Sequence, residues 1–179
     1  MVDLFTPAYD AAHEGAVDCP CTVVQQAGAI CFRVAPNKTP EVLLVASSRN
    51  GRWGVPKGRI EKGETSASAA AREAMEETGV RGRVSHQAFG SFAYTKDRAN
   101  IAFLLSIHLL EVQEMLTEFP ERHSRRVKWV PLEIAVREVS RPQLRTLLLK
   151  VAANMQAVCD RHCPTTAGVF AGSPSLLLK

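Results

Sequence analysis

One stretch constrains this chain more than any other: Gly58 to Val80, GRIEKGETSASAAAREAMEETGV. Alanine dominates its middle, Thr65 or Ser66 can cap a helix start, and Gly79 stands where a left-handed C-cap belongs, so the run predicts a helix between them. On that helix Ala67, Ala70, Ala71, Ala74 and Thr78 share one face, and small side chains there allow close packing on whatever lies beneath. Glu73, Glu76 and Glu77 are spaced i, i+3 and i+4, which brings their carboxylates together on the adjoining arc. Like charges so close repel. The arc is therefore either a solvated face relieved by Arg72 and salt, or a site for a hard divalent cation that takes oxygen ligands. Because it flanks the buried stripe, it lies near the protein body.

The rest of the chain supplies a sheet for this helix. Thr22 to Val34 predicts a strand or a bent pair of short strands, Pro36 to Pro40 a turn, and Glu41 to Ser47 a second strand antiparallel to the first. Trp53 to Gly58, punctuated by Gly and Pro, predicts irregular backbone. Arg83 to Tyr94 and Ile101 to Val112 read as long strands joined by residues 95–100, the second apolar on both faces and so central. Glu114 to Arg126 is a charge-dense connection, Val127 to Val130 a short strand, and Pro131 to Val139 a short helix. Ser140 can cap a longer helix in which Leu144, Leu147, Leu148, Val151, Met155 and Val158 recur at helical spacing. Strands on both sides of a packed helix, with another helix at the end, give an α/β chain whose mixed β-sheet lies between helices.

With 46% hydrophobic and 22% charged residues, the 179-residue chain suits one globular domain. We place that domain at 21–160, between a flexible N-terminal arm at 1–20 and a flexible C-terminal tail at 161–179 that is rich in Pro, Gly, Ser and Thr. A net charge of +4 favours small anionic partners. It falls short of a basic stripe, and with 6% aromatic residues no nucleic acid is expected. No run approaches the ~18 apolar residues of a membrane span, and the first residues lack a basic segment followed by an apolar block. A cytoplasmic protein, monomer or homodimer, with no membrane contact is the expectation. The odd cysteine count argues for reduced thiols, and Cys19, Cys21, Cys159, His162 and Cys163 lack zinc-ligand spacing.

Taken residue by residue, Gly58, five residues, Glu64, seven residues, Arg72-Glu73-Ala74-Met75-Glu76-Glu77, one residue and Gly79-Val80 resembles the Nudix box at every defined position. The resemblance implies an α/β/α sandwich and hydrolysis of a nucleoside diphosphate linked to another group, with water attacking phosphorus. It implies a divalent cation, usually Mg²⁺ with Mn²⁺ possible, held by Glu73, Glu76, Glu77 and the Gly58 carbonyl. It also pairs Arg72 with Glu64, bracing the loop against the helix. Arg72 points to a different side of the helix from Glu77, which argues against a simple charge neutraliser. The proton acceptor is Glu73, Glu76 or a loop carboxylate, for which Glu121 in Phe119-Pro120-Glu121 is the first choice and Glu118 the second.

Upstream, Arg52 to Gly58 resembles the segment before the box in diphosphoinositol polyphosphate and dinucleoside polyphosphate hydrolases, so a phosphoanhydride of that kind is the implied substrate. Arg49, Arg52, Lys57, Arg59, Lys62, Arg125 and Arg126 lie in loops that should surround the carboxylate helix and meet its phosphates. Trp53 either stacks on a base or sits half-buried in the core. His108, inside an apolar strand, reads as a satisfied core residue. Two other functions stay open: a house-cleaning nucleoside triphosphate pyrophosphatase, and a catalytically silent nucleotide sensor.

Overall fold

A computed structural model of the chain describes residues 22–95 and 101–162. The expected arm, residues 96–100 of the turn between the long strands and the tail from residue 163 lie outside the described residues, as do Cys19, Cys21 and Cys163; residues 161 and 162, expected in the tail, still belong to the last helix. The order is β1 (Thr22–Val34), β2 (Pro40–Ala46), β3 (Trp53–Gly54), β4 (Lys57–Arg59), α1 (Ser66–Thr78), β5 (Val80–Val84), β6 (Gly90–Thr95), β7 (Ile101–Met115), β8 (Val127–Pro131), α2 (Leu132–Glu138) and α3 (Pro142–His162).

The strands form one mixed sheet with the backbone path β3-β2-β1-β7-β5; β4 adds to β1, β6 to β7 and β8 to β2. β1 and β7 run parallel from Thr22↔Ile101 to Phe32↔Glu111, and every other pairing is antiparallel. β7 is central, as its two apolar faces require.

Alternation along β1 divides the core. Ala27, Ala29 and Cys31 join Leu43, Leu110 and the helix residues Ala69, Ala70 and Ala74 on one face. Ile30, with Val42, Leu44, Leu105 and Ile107, packs under Leu132, Ala135, Leu144, Leu147, Leu148 and Val151 of α2 and α3 on the other. The result is the α/β/α sandwich, in which α1 meets the sheet mainly through alanines. None of the helices among the described residues is long and apolar enough to cross a membrane.

Four expectations are corrected. The buried face of α1 is Ala69, Ala70, Ala74, Glu77 and Thr78; Ala67 and Ala71 are only half-buried, because the helix is rolled so that Glu77 faces the sheet. Arg83 to Tyr94 is two strands. Val84 pairs with Leu110 and Gly90 with Ile107, six steps against three, so the residues between them leave the ladder. That detour is pinned where the Ser85 hydroxyl accepts from Leu109 N–H at 3.1 Å and the Ser85 carbonyl lies 2.8 Å from His108 Nδ1. Trp53 to Gly58 is not irregular throughout, since β3 and β4 find free edges on β2 and β1. Ser140 does not cap α3: the helix starts at Pro142, whose fixed φ and missing N–H suit a first turn. The Ser140 N–H instead donates to the Trp53 carbonyl at 3.2 Å.

Candidate active site

Both ends of α1 are locked. At the start, Thr65 Oγ1 accepts from Ser68 N–H at 3.1 Å while Ser68 Oγ accepts from Thr65 N–H at 3.0 Å, a reciprocal capping box. At the end, Gly79 takes φ 72° and its N–H donates to the Met75 carbonyl at 2.9 Å. The carboxylates on the last two turns therefore ride on a rigid support.

Arg72 is the hub of the charged network. Its Nε and Nη2 donate to the two Glu64 oxygens, each at 3.0 Å, and Nη2 also donates to the Arg59 carbonyl at 2.9 Å. This fork ties the loop after β4 to the helix. Nη1 donates to Glu73 Oε1 at 2.8 Å and to Glu76 Oε2 at 3.1 Å. Arg72 thus neutralises part of the acidic arc as well as bracing the loop, which corrects the view that its direction sets it apart: adjacent and i, i+4 positions are both within guanidinium reach. Hydrogen bonding to Arg72 holds Glu64 below the usual carboxylate range.

The three arc carboxylates differ in environment. Glu76 is the most open of them, and its backbone carbonyl accepts from Glu121 N–H at 3.0 Å. Burial raises the Glu73 carboxyl, against the pull of Arg72. Glu73 also abuts Gly58, where a Cβ would overlap its carboxylate, so a larger residue there would displace the Glu73 carboxylate. Glu77, with a side chain 4% exposed, is pushed up to about 7 by burial, opposed by Lys57 and Arg125. Its Oε1 accepts from Arg125 Nη2 at 2.7 Å, and its buried Oε2 has no protein partner. A buried carboxylate oxygen without a donor is costly unless a cation or water meets it.

Among the described residues no His, Cys, Asp and Glu side chains converge in ligating geometry. Glu73 and Glu76 are turned to Arg72, and Glu77 to Arg125. The donor set nonetheless fits a hard divalent cation: all oxygen, anionic, partly desolvated, with the Glu77 Oε2 orphan among it.

The loop at 116–126 closes over the end of α1. Leu116 N–H donates to the Gly79 carbonyl at 2.7 Å, and the Phe119 ring lies against Gly79. That seating brings Glu121 close enough for its charge to raise both Glu73 and Glu77. Glu121 Oε2 accepts from Arg125 Nε at 2.5 Å. Glu118, the second choice, is exposed and pairs with Arg122.

A cleft of about 560 Å³ opens beside Glu77, and Arg49, Arg52, Trp53, Lys57 and Arg125 are among the residues that line it. Arg126 lies outside that lining, with Cζ 5.6 Å from the Trp53 ring centroid. Arg59 and Lys62 do not line it either. Three residues that the sequence reading missed do: Gln26, Tyr94 and Arg141. Tyr94 O–H donates to Gln26 Oε1 at 2.5 Å, and Arg141 Cζ stands 3.8 Å over the Tyr94 ring, which also stacks with Phe103 at 5.2 Å. A glutamine inside an apolar strand was the available signal for Gln26; nothing local marks Arg141 beyond its place before Pro142. Half-buried Trp53 carries Lys128 Nζ at 4.3 Å, so its π-surface is met by cations. His108 is buried with Nδ1 and Nε2 satisfied by Ser85 and Ser66.

A family model described as the NUDIX domain matches residues 24–151. The chain is 35% identical over 116 residues to the Bos taurus diphosphoinositol polyphosphate phosphohydrolase 3-beta, covering 63% of this chain and 67% of that one. It is 33% identical over 119 residues to the Arabidopsis thaliana "Nudix hydrolase 16, mitochondrial", covering 63% and 66%. Among solved structures, a C. elegans Ap4A hydrolase binary complex superposes with a TM-score of 0.58 at 25% identity, over 75% of this chain and 98% of the other.

Proposed function

The chain belongs to the Nudix family of pyrophosphohydrolases, matched over residues 24–151, and from that premise we propose that it is a Mg²⁺-dependent hydrolase of a diphosphoinositol polyphosphate. The observation that carries the substrate choice is the state of Tyr94 and Trp53, two of the three aromatic side chains that line the cleft, the third being half-buried Phe92. Tyr94 is 7% exposed, stacked on Phe103 and covered by Arg141; Trp53 is met by Lys128 and Arg126. A nucleobase needs an open ring to stack on. A ligand dense in phosphate needs cations instead, and Arg141, held over the Tyr94 ring, lines the cleft. Diphosphoinositol polyphosphate phosphohydrolases are among the relatives, which supports the same choice.

Glu73, Glu76, Glu77 and the Gly58 carbonyl would hold the cation, with Mn²⁺ able to replace Mg²⁺ because both accept hard oxygen ligands. When bound it supplies charge neutralisation of the diphosphate and acidifies coordinated water. The chain's own residues do the rest. Arg49, Arg52, Lys57 and Arg141 bind phosphate, Lys57 and Arg125 offset the charge of buried Glu77, and Arg72 with Glu64 keeps the Gly58 loop on the helix. Glu121 is our choice for proton acceptor: Arg125 holds its Oε2, leaving Oε1 for the proton. The reaction is taken to occur in the cytoplasm on a small molecule.

The Ap4A hydrolase likeness keeps a dinucleoside polyphosphate as the second reading. A panel of a diphosphoinositol polyphosphate, Ap4A and a nucleoside triphosphate, each with Mg²⁺ or EDTA, separates them. We expect the highest kcat/KM for the first, loss of turnover in EDTA, and losses of at least ~100-fold in Glu76→Gln and Glu77→Gln. A tenfold preference for either nucleotide overturns the substrate reading; full activity in both variants overturns the metal-hydrolase reading.

A further inference from the structure

Two guanidinium groups serve the acidic arc, and they are anchored differently. Arg72 takes Glu73 and Glu76 but is tethered from behind by Glu64 and the Arg59 carbonyl. Arg125 comes from the loop and sits deeper, with a side chain 14% exposed against 4% for its partner Glu77. Its side-chain partners among the described residues are Glu77, 2.7 Å from Nη2, and Glu121, 2.5 Å from Nε. It forms a cationic bridge between a helix carboxylate and a loop carboxylate, and it leaves Glu77 Oε2 buried and unpartnered.

We propose that Arg125 is a built-in cation that competes with the metal for Glu77 and thereby limits how tightly the site binds it. The inference rests on the reading of Glu73, Glu76 and Glu77 as holders of the metal. It assigns Arg125 to the metal site as a positioning residue, in place of the phosphate contact expected from its sequence neighbourhood. Magnitudes decide the sign. A charge within roughly 4–6 Å changes the affinity of an ionic site by about ten- to a thousandfold. Holding one carboxylate rotamer ready contributes on the order of tenfold. The like charge of Arg125 therefore outweighs the help it gives by orienting Glu77, and removing it tightens metal binding.

The same geometry makes the two cations interchangeable toward folding. Without metal, loss of Arg125 leaves Glu77 buried with less compensation; with metal, the ion takes over that role. Metal should then stabilise a variant lacking the guanidinium more than it stabilises the wild type, whereas a simple loop clamp would be missed equally in both conditions.

The test is titration of the full chain with Mn²⁺ alone, read by the electron paramagnetic resonance of free Mn²⁺, together with melting in EDTA and in saturating Mn²⁺. Arg125→Gln is expected to bind Mn²⁺ about tenfold more tightly than wild type, to melt lower in EDTA, and to gain more from Mn²⁺. Arg125→Lys, which keeps the charge without the fork, is expected to stay within roughly threefold of wild type. Equal or weaker binding by Arg125→Gln overturns the inference. If that variant does not fold without metal, Arg125→Lys decides: binding weakened by about tenfold would mean that the fork, not the charge, sets affinity. Glu76→Gln separates the two levels. Wild-type Mn²⁺ binding that survives Glu76→Gln sinks the metal reading itself, and binding lost in Glu76→Gln but loosened by Arg125→Gln sinks only the role of Arg125.

Discussion

Gly79 joins the helix end to the loop that carries Glu121, and replacing it separates two physical costs. The residue has φ 72°, and a Cβ built on it lies 2.5 Å from the Phe119 ring. The first property costs a non-glycine residue about 1 kcal/mol. The second forces either Phe119 or the helix end to move, an overpacking cost of about 2 kcal/mol. Gly63 offers the matched control, because it has φ 82° but nothing within 4 Å of a built Cβ. Gly63→Ala should therefore lose about 1 kcal/mol and Gly79→Ala about 3 kcal/mol. For a domain of this size those losses lower Tm by roughly 3 °C and 9 °C. Thermal melts monitored by circular dichroism measure both. Because Phe119 lies two residues from Glu121, Gly79→Ala should also lower kcat through the 116–126 loop, whereas Gly63→Ala can act only through its neighbour Glu64. Equal Tm losses in the two variants would refute the reasoning, since they share the backbone cost and differ only in the ring contact.

Burial of Glu77 gives a pH dependence to the metal-free protein. Its carboxyl is raised from 4.5 to about 7, so the folded state binds the proton more tightly than the unfolded state. Stability then falls as pH rises between those values, by about 1.36 kcal/mol per pH unit and about 3 kcal/mol in all. Urea unfolding in EDTA at pH 4.5 and 8 measures the loss, and Glu77→Gln should shrink it; an unchanged slope in that variant rejects Glu77 as its source. At Arg72, a lysine keeps the charge but cannot hold both Glu64 oxygens, the Arg59 carbonyl and two arc carboxylates together. Arg72→Lys should cost about 2 kcal/mol in this partly exposed network and lower kcat more than it changes KM, whereas an unaltered Tm would contradict the bracing role.

The helix, its caps and its acidic arc were readable because they depend on contacts within four residues along the chain. Thr65 and Gly79 end the helix through hydrogen bonds to Ser68 and Met75, and the spacing of Glu73, Glu76 and Glu77 is a property of the helix itself. The parallel pairing of β1 with β7 was not predicted, although the two-faced apolar pattern of Ile101 to Val112 already required a central strand. The break at Ser85 to Phe89 escaped because it is held by His108 and Leu109, residues more than twenty positions away. Arg141 escaped for the same reason, since its partner Tyr94 is brought to it only by the fold.

Sequence alone determined which residues could form a metal-binding helix, the sandwich that carries it and the family to which it points. The helix and strands reside in local spacing and hydrophobic period, which survive without knowledge of the partners, whereas the family came from the residue-by-residue resemblance of Gly58 to Val80 to the Nudix box. The tertiary structure decided how the charges are shared. It turned Glu77 to the sheet, gave Glu73 and Glu76 to Arg72, and gave Glu77 and Glu121 to Arg125. Charge pairing depends on distance and desolvation, and both are created only when the helix, the loop and the sheet edge are brought together.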